Sequence, residues 1–182
     1  MRGLSRWGRG AMLQRMIQDL TLRTAQSADI GALDRLFQRS YARLLMPDYP
    51  PSVLVTAIPV IARAQPALVG SGLFYVVEDA NGIVGAGGWS LQPPGGMQGQ
   101  RGTGHVRHVA TDPDAVRRGV GRMLMAHIAL VAKASGMMEL ACQSTLTAVP
   151  FYESMGFEQL GGMTVPLAGG ITFPAVRMRR LL

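Results

Sequence analysis

At 182 residues and 48% hydrophobic content, the chain suits one domain large enough to bury a sizeable core, which excludes overall disorder. No uninterrupted apolar run of about 18 residues occurs, so no membrane-spanning helix and no membrane partner are expected, and the single cysteine, Cys142, excludes a disulfide framework or a multi-cysteine zinc site. Net charge is +7, yet Arg2, Arg6, Arg9 and Arg15 all precede the first acid, Asp19, and Lys133 is the only lysine, so the basicity is largely arginine and partly an N-terminal effect.

That charge alone does not choose among DNA, RNA and a phosphorylated cofactor. The lone cysteine fits a reducing compartment, and a cytoplasmic location is the default expectation. Residues 1–18 mix Arg, Gly and Met around Trp7 without the apolar centre of a secretory signal, and read as an extension ahead of a domain over residues 19–182. An acid-free, Arg-rich start also resembles an organelle transit peptide.

In chain order, Leu20 to Thr24 alternates like a short strand, and Ser27-Ala-Asp29 offers capping side chains. Ile30, Leu33, Leu36, Phe37 and Tyr41 then recur at helical spacing. Pro51 opens a second helix through Val53, Leu54, Ala57 and Ile61, with Pro59 as its expected kink or break. Leu73 to Val77 and Ile83 to Trp89 flank Asn81-Gly82, a dipeptide that favours a tight hairpin turn. Gln92 to Gly104 reads as a Pro/Gly/Gln loop and His105 to Thr111 as a strand. A helix stripe runs through Leu124, Met125, Ile128, Val131 and Ala132 to a stop at Gly136. Met137 to Ala141 is a strand, Thr147 to Met155 a short helix stopped by Gly156, and Phe157 to Leu160 and Ala175 to Met178 closing strands around Gly-rich turns. The predicted order is β-α-α-β-β-β-α-β-α-β-β.

The sharpest chemical signal is Thr111 to Met125, read as strand end, turn and helix start. Glycines at 119 and 121 let backbone approach an anion closely, and free amides at a helix N-terminus direct partial positive charge at it. The hydrolase phosphate loop fails for want of Gly-Lys-Ser/Thr, and the dinucleotide fingerprint fails because Leu124 holds its third glycine position.

This segment, Val116-Arg-Arg-Gly-Val-Gly121 behind Pro113, resembles motif A of the GNAT acetyltransferase superfamily, Q/R-x-x-G-x-G/A. Ala148-Val-Pro-Phe-Tyr-Glu-Ser-Met-Gly-Phe157 resembles motif B, with its tyrosine and Gly-Phe ending. The resemblance covers roughly residues 20 to 180 and implies an α/β (α+β) GNAT fold. That fold is a mixed, mostly antiparallel sheet of six to seven strands with about four helices, splayed between the fourth and fifth strands. It also implies an acetyl-CoA-dependent N-acetyltransferase that moves the acetyl group to a primary amine of a small molecule or peptide, without a metal. Homodimerisation is a habit of the family.

By the same resemblance, the cofactor pyrophosphate sits on Arg117, Arg118, Gly119, Val120 and Gly121, with Arg122 beside them and Val116 replacing the family's Gln or Arg. Val109 and Thr111 belong to the strand that pairs with pantetheine, and the Val109 amide receives the developing oxyanion. Tyr152 is the candidate acid for the departing thiolate, and its alternative is an aromatic core residue beside Phe151. His105 falls where histone-acetylating members carry a glutamate base, with plain surface polarity as its alternative. His105 and His108, three apart, face opposite sides of a regular strand. Thr145 stands where motif B often has Asn. Cys142 is expected to be structural and buried, with a covalent acetyl-cysteine as the rival reading. Tyr41, Met46, Tyr49 and the 92–104 loop are candidates for the acceptor side.

Two other classes compete. A non-catalytic acyl-CoA sensor or partner-binding domain keeps the phosphate turn and loses acid and base. A nucleic-acid binder uses the arginines, but no basic helix with base-reading polar residues or stacking aromatics is present, so no nucleic-acid partner is expected.

Overall fold

The computed structural model of the protein describes residues 20–96 and 98–182, so the expected extension lies outside the described residues. Seven strands and five α-helices follow the predicted order: β1 Thr21–Thr24, α1 Ile30–Leu44, α2 Pro51–Ile61, α3 Pro66–Val69, β2 Phe74–Asp79, β3 Gly82–Ser90, β4 Thr103–Thr111, α4 Val120–Ala134, β5 Glu139–Ser144, α5 Val149–Ser154, β6 Glu158–Pro166 and β7 Thr172–Leu181. The one-turn helix α3 is the addition; Gln65-Pro66 starts it with proline at N1, where the missing N–H costs nothing. Helix α2 runs through Pro59 rather than breaking there, and ends two residues later.

The strands form one sheet in the order β1-β2-β3-β4-β5-β7-β6, antiparallel everywhere except between β4 and β5. That parallel pair is short: Thr103, Gly104 and His105 face Glu139, Leu140 and Ala141, and pairing then stops although both strands continue. The remainder of β4 and β5 diverges, which is the splay expected between the fourth and fifth strands.

Each sheet face carries its own core. Helix α4 buries Val120, Leu124, Met125, Ile128, Ala129 and Ala132 against Tyr75, Val77, Trp89, Val106 and Leu140. Helix α1 buries Leu33, Leu36 and Phe37 against Phe74, Val76, Ala86 and Ala110 on the other face. Fully burying one such aliphatic or aromatic side chain contributes about 1.5–3 kcal/mol, so these stripes, more than helix propensity, fix the two layers. Gly136, at φ 82°, ends α4 as expected, with the Met137 amide donating back to the Ala132 carbonyl at 3.0 Å.

Three boundaries differ from the sequence reading. Strand β5 lies at 139–144, so Cys142 is within it rather than at its end. Strands β6 and β7 are much longer than expected because Gly161 and Gly162 lie within β6, where the register shifts between Gln159 and Gly161 and Gly161 takes φ 123°. A glycine pair that resembles a turn is here a β-bulge.

A second bulge shapes β4. Its register against β3 shifts between Ala86 and Gly88, and His108 adopts φ 48°, a left-handed conformation uncommon for a residue with a side chain. The extra residue changes the parity of faces. Gly104, Val106 and Val109 point to the α4 side, while His105, Arg107, His108 and Ala110 all point to the α1 side. The expectation that His105 and His108 face opposite ways therefore fails, for the physical reason that the strand is not regular. Gly87 makes the bulge possible, since a Cβ there would lie 2.8 Å from Val109 Cγ2 and 3.1 Å from its Cα.

Candidate active site

The turn that leads into α4 is built from its glycines. Gly119 has φ 88°, a region favourable only to glycine, and a Cβ added there would meet nothing within 4 Å, so the space above the turn is open. Arg117 also sits at positive φ, 68°. Gly121 matters for a different reason: a Cβ would press on the Phe151 ring at 3.1 Å, a tight contact that places the helix start close against α5. Asp112 caps the preceding turn by accepting from the Asp114 amide at 2.9 Å, and Pro113 begins that turn.

Four successive amides, those of Gly119, Val120, Gly121 and Arg122, donate to no protein acceptor among the described residues. They stand at the start of a 15-residue helix, beside the open space above Gly119. Such a cluster is chemically suited to an anion, because the helix dipole and the hydrogen-bond donors act together. The arginines contribute unequally. Arg117 and Arg122 are exposed, whereas Arg118 is held by Asp79 at 2.7 Å, and that ion pair keeps the Asp79 carboxyl below its usual range. The Arg118 guanidinium is thus already engaged across the β2–β3 turn.

From this turn, β4 runs away along the splay. Thr111 and Val109 both belong to the stretch beyond His105 that has no β5 partner, so the residues expected to pair with pantetheine lie on an edge that the fold leaves open. Opposite them, α5 places Tyr152 as its single buried residue, 6% exposed, edge-on to Phe151 and Phe157. Burial, reinforced by Cys142 and Tyr41 nearby, raises the Tyr152 phenol well above 10. Its hydroxyl forms no hydrogen bond to any described residue, and so it keeps its proton and has a free donor. Tyr41 approaches from α1, stacked on Phe37, and its phenol is likewise raised by burial.

His105 is the last β4 residue paired with β5, at the apex of the splay. Its Nε2 is buried without a partner, and burial first, then the Arg107 charge, holds the imidazole below 6.5, so it is neutral at pH 7. His108 is more strongly affected, pushed down to about 4 by burial and by Arg107, with its ring against Phe37 at 5.3 Å. Cys142 is buried in the α4-side core and its thiol is pushed up to about 12, which leaves no thiolate for an acetyl-cysteine route. Thr145, at the Asn position of motif B, caps the turn before α5 by accepting from the Ala148 amide at 3.3 Å.

Of the acceptor-side candidates, Tyr49 has a structural role: its hydroxyl donates to the Pro174 carbonyl and accepts from the Leu146 amide, both at 2.8 Å. Met46 is 61% exposed and lines, with Tyr49, Leu54 and Val55, an apolar groove of about 610 Å³ between α1 and α2. Sequence reasoning did not single out Arg107, Gln65 or Ser90, which the structure brings together beside the two histidines. No periodic signal links three residues from separate elements. Among the described residues, no group of three or more His, Cys, Asp or Glu side chains could hold a metal, and no helix is long and apolar enough to cross a membrane.

Comparison with known proteins agrees with this geometry. Residues 70–159 match the family described as the acetyltransferase (GNAT) domain. A glucosamine 6-phosphate N-acetyltransferase of Trypanosoma brucei brucei is 31% identical over 75 residues, which is 41% of this chain and 50% of that protein, so the match spans about half of that relative's length. A GCN5-related N-acetyltransferase from Rhodopseudomonas palustris superposes with a TM-score of 0.70 at 21% identity, covering 89% of this chain and 95% of the other. The PaiA N-acetyltransferase from Thermoplasma acidophilum, solved with coenzyme A, superposes with a TM-score of 0.66 at 12% identity over 90% and 99% of the two chains. With its family match, its splayed seven-stranded sheet and its glycine turn at the head of α4, this chain belongs to the GNAT acetyltransferase superfamily.

Proposed function

We propose that the protein is an acetyl-CoA-dependent N-acetyltransferase in which the amine attacks the thioester directly. The observation that carries this reading is the row of four unpartnered amides from Gly119 to Arg122, opening onto the unpaired edge of β4. Backbone amides would hold the pyrophosphate, with Arg117 and Arg122 adding exposed positive charge and Arg118 mainly bracing the turn through Asp79. Thr111 and Val109 would then pair with the pantetheine arm as a neighbouring strand does. The Val109 amide would face the thioester carbonyl and stabilise the oxyanion formed on attack.

Attack requires an uncharged amine, and the neutral imidazole of His105 at the splay apex supports it as the group that takes the proton, directly or through water at Nδ1, since Nε2 is enclosed. Tyr152 would donate to the departing sulfur. A phenol held above 10 is a weaker acid than a thiol with a pKa of about 8.5, so its contribution is a hydrogen bond that strengthens as charge builds on sulfur, not lasting ionisation.

The acceptor in this reading is a primary amine on a small molecule or peptide; the Trypanosoma brucei brucei relative acts on glucosamine 6-phosphate by name. A cytoplasmic setting and a homodimer belong to the same proposal, the latter testable by light scattering. Calorimetric titration with acetyl-CoA, followed by thiol release with an amine panel, tests the whole. Absence of acetyl-CoA binding would overturn it, and binding without thiol release from any amine would favour a non-catalytic sensor.

A further inference from the structure

We infer that the acceptor is a small amine bearing a carboxylate or phosphate a few bonds from its nucleophilic nitrogen, and that Arg107 holds that anionic group. The inference rests on the acetyltransferase reading above and gives it a substrate class.

Arg107 stands on β4 between His105, where pairing with β5 ends, and Val109, whose amide is assigned to the oxyanion. Its side chain rises on the α1 face, half-buried between the end of β3 and the turn that precedes α3. Two protein acceptors fix it there: Nη1 donates to Ser90 Oγ at 3.0 Å and Nη2 to Gln65 Oε1 at 3.2 Å. Both are neutral oxygens. Nε has no partner and reaches solvent.

The other arginines that the fold holds in place show what is missing. Arg23 lies between Asp29 and Glu78, Arg39 between Asp112 and Asp114, Arg43 on Asp114 and Arg118 on Asp79. Arg63 is exposed and donates only to the Pro59 carbonyl of the preceding helix at 3.2 Å; among the guanidinium groups held by other side chains, Arg107 alone has no carboxylate partner among the described residues. Its neighbours add no compensation. Gln65 Nε2 lies 3.3 Å from His108 Nε2, and as an amide N–H can only donate, that imidazole is neutral with its proton on Nδ1. Burial lowers the affinity of Arg107 for its own proton, the reverse of Arg23 with its two acids.

A half-buried cation held open by two neutral oxygens is costly unless an anion completes it. The fork geometry of guanidinium matches a carboxylate or a phosphate through paired N–H donors. Only His108, at the bulge, separates residues 107 and 109, and two residues of chain span at most about 7 Å, so one small molecule can place its amine at the thioester and its anion on Arg107. A polyamine or lysine-rich acceptor would instead bring positive charge against this group.

The experiment uses the full chain with saturating acetyl-CoA and thiol release, on matched pairs: alanine with alaninamide, phosphoethanolamine with ethanolamine, and glucosamine 6-phosphate with glucosamine. The expected result is a kcat/KM at least about tenfold higher for the anionic member of one or more pairs, the size of one charge-assisted hydrogen bond. The pair that responds tells carboxylate from phosphate. Arg107→Gln should bring the anionic-to-neutral ratio of kcat/KM down to about one, chiefly through the KM of the anionic member, while leaving acetyl-CoA affinity unchanged, and Arg107→Lys should restore part of the ratio. Equal rates within every pair, or an Arg107→Gln variant that slows both members alike, overturns the inference. If Arg107→Gln does not fold, the wild-type pairs decide. If no amine turns over, titration of the N-acetylated forms of the same pairs into the CoA-bound protein decides, with equal affinity overturning it. A protein that binds no acetyl-CoA removes the acetyltransferase reading itself and this inference with it.

Discussion

The two ends of the β4 cleft are made of different materials. At the Gly119 end, the proposed seat consists of four backbone amides from one contiguous segment, and the Arg118 side chain is engaged by Asp79. At the His105 end the walls are side chains from separate elements: His105 and Arg107 from β4, Ser90 from β3, and Gln65 ahead of α3. A backbone seat tolerates sequence change provided that the glycines remain, because every residue supplies the same donor. A side-chain wall changes chemistry with each substitution. This division suits a transferase fold with a constant donor and variable acceptors.

The largest effect should come from the chemistry between the two ends. Tyr152→Phe should lower kcat by about 10²-fold or more if a hydrogen bond to sulfur is lost, with the affinity for acetyl-CoA unchanged in calorimetry. Unchanged turnover in a single-turnover measurement would return Tyr152 to the core. At the donor end, Gly121→Leu forces the Phe151 ring and the helix start apart, and acetyl-CoA affinity should fall on the order of 10- to 100-fold, while fluorescence-monitored unfolding shows a smaller loss. Retained affinity would break the claim that this seat depends on close backbone approach.

At the acceptor end, His108 provides a pH test. Its folded pKa, about 4, lies below the unfolded value of 6.5, so the unfolded chain binds the proton first as pH falls. Its contribution to stability is complete above 6.5 and lost progressively down to about 4. Allowing for its partial accessibility, the loss should be roughly 2 kcal/mol. His108→Asn, which tolerates the positive φ, should flatten the dependence of Tm on pH between 6.5 and 4 whatever its offset. The smallest effect is expected for Arg118→Gln, less than about threefold in acetyl-CoA affinity at moderate salt, since partly exposed ion pairs contribute little. A large loss there would show that side chains matter at the donor end as well.

The same division explains what the sequence made legible. Pro113, Gly119, Gly121 and the Tyr152 helix announce themselves because turns, left-handed residues and helix starts have strong local preferences, and the α4 stripe fixes the face that follows. The β4 bulge left no such mark: His108 holds a conformation usually signalled by Gly or Asn, and only the packing of Gly87 against Val109 reveals it. Gly161-Gly162 misled in the opposite direction, a turn-like pair absorbed into β6 by its pairing with β7. The Arg107 cluster joins residues 17 and 42 positions apart, and no window along one chain contains that information.

The contact between Gly121 and Phe151 has one more consequence. Phe151 is the neighbour of Tyr152 in α5, so the packing of its ring against the helix start ties the position of the glycine turn to that of Tyr152. The protein thereby contains a gauge block. If acetyl-CoA binds as proposed, a molecule anchored at the amides would be measured along the open strand, and only one whose flexible arm has the matching length would deliver its reactive end to the tyrosine. In the proposed binding mode, selection for the whole coenzyme over shorter thioesters would arise from a length, with no side chain needed to recognise the arm.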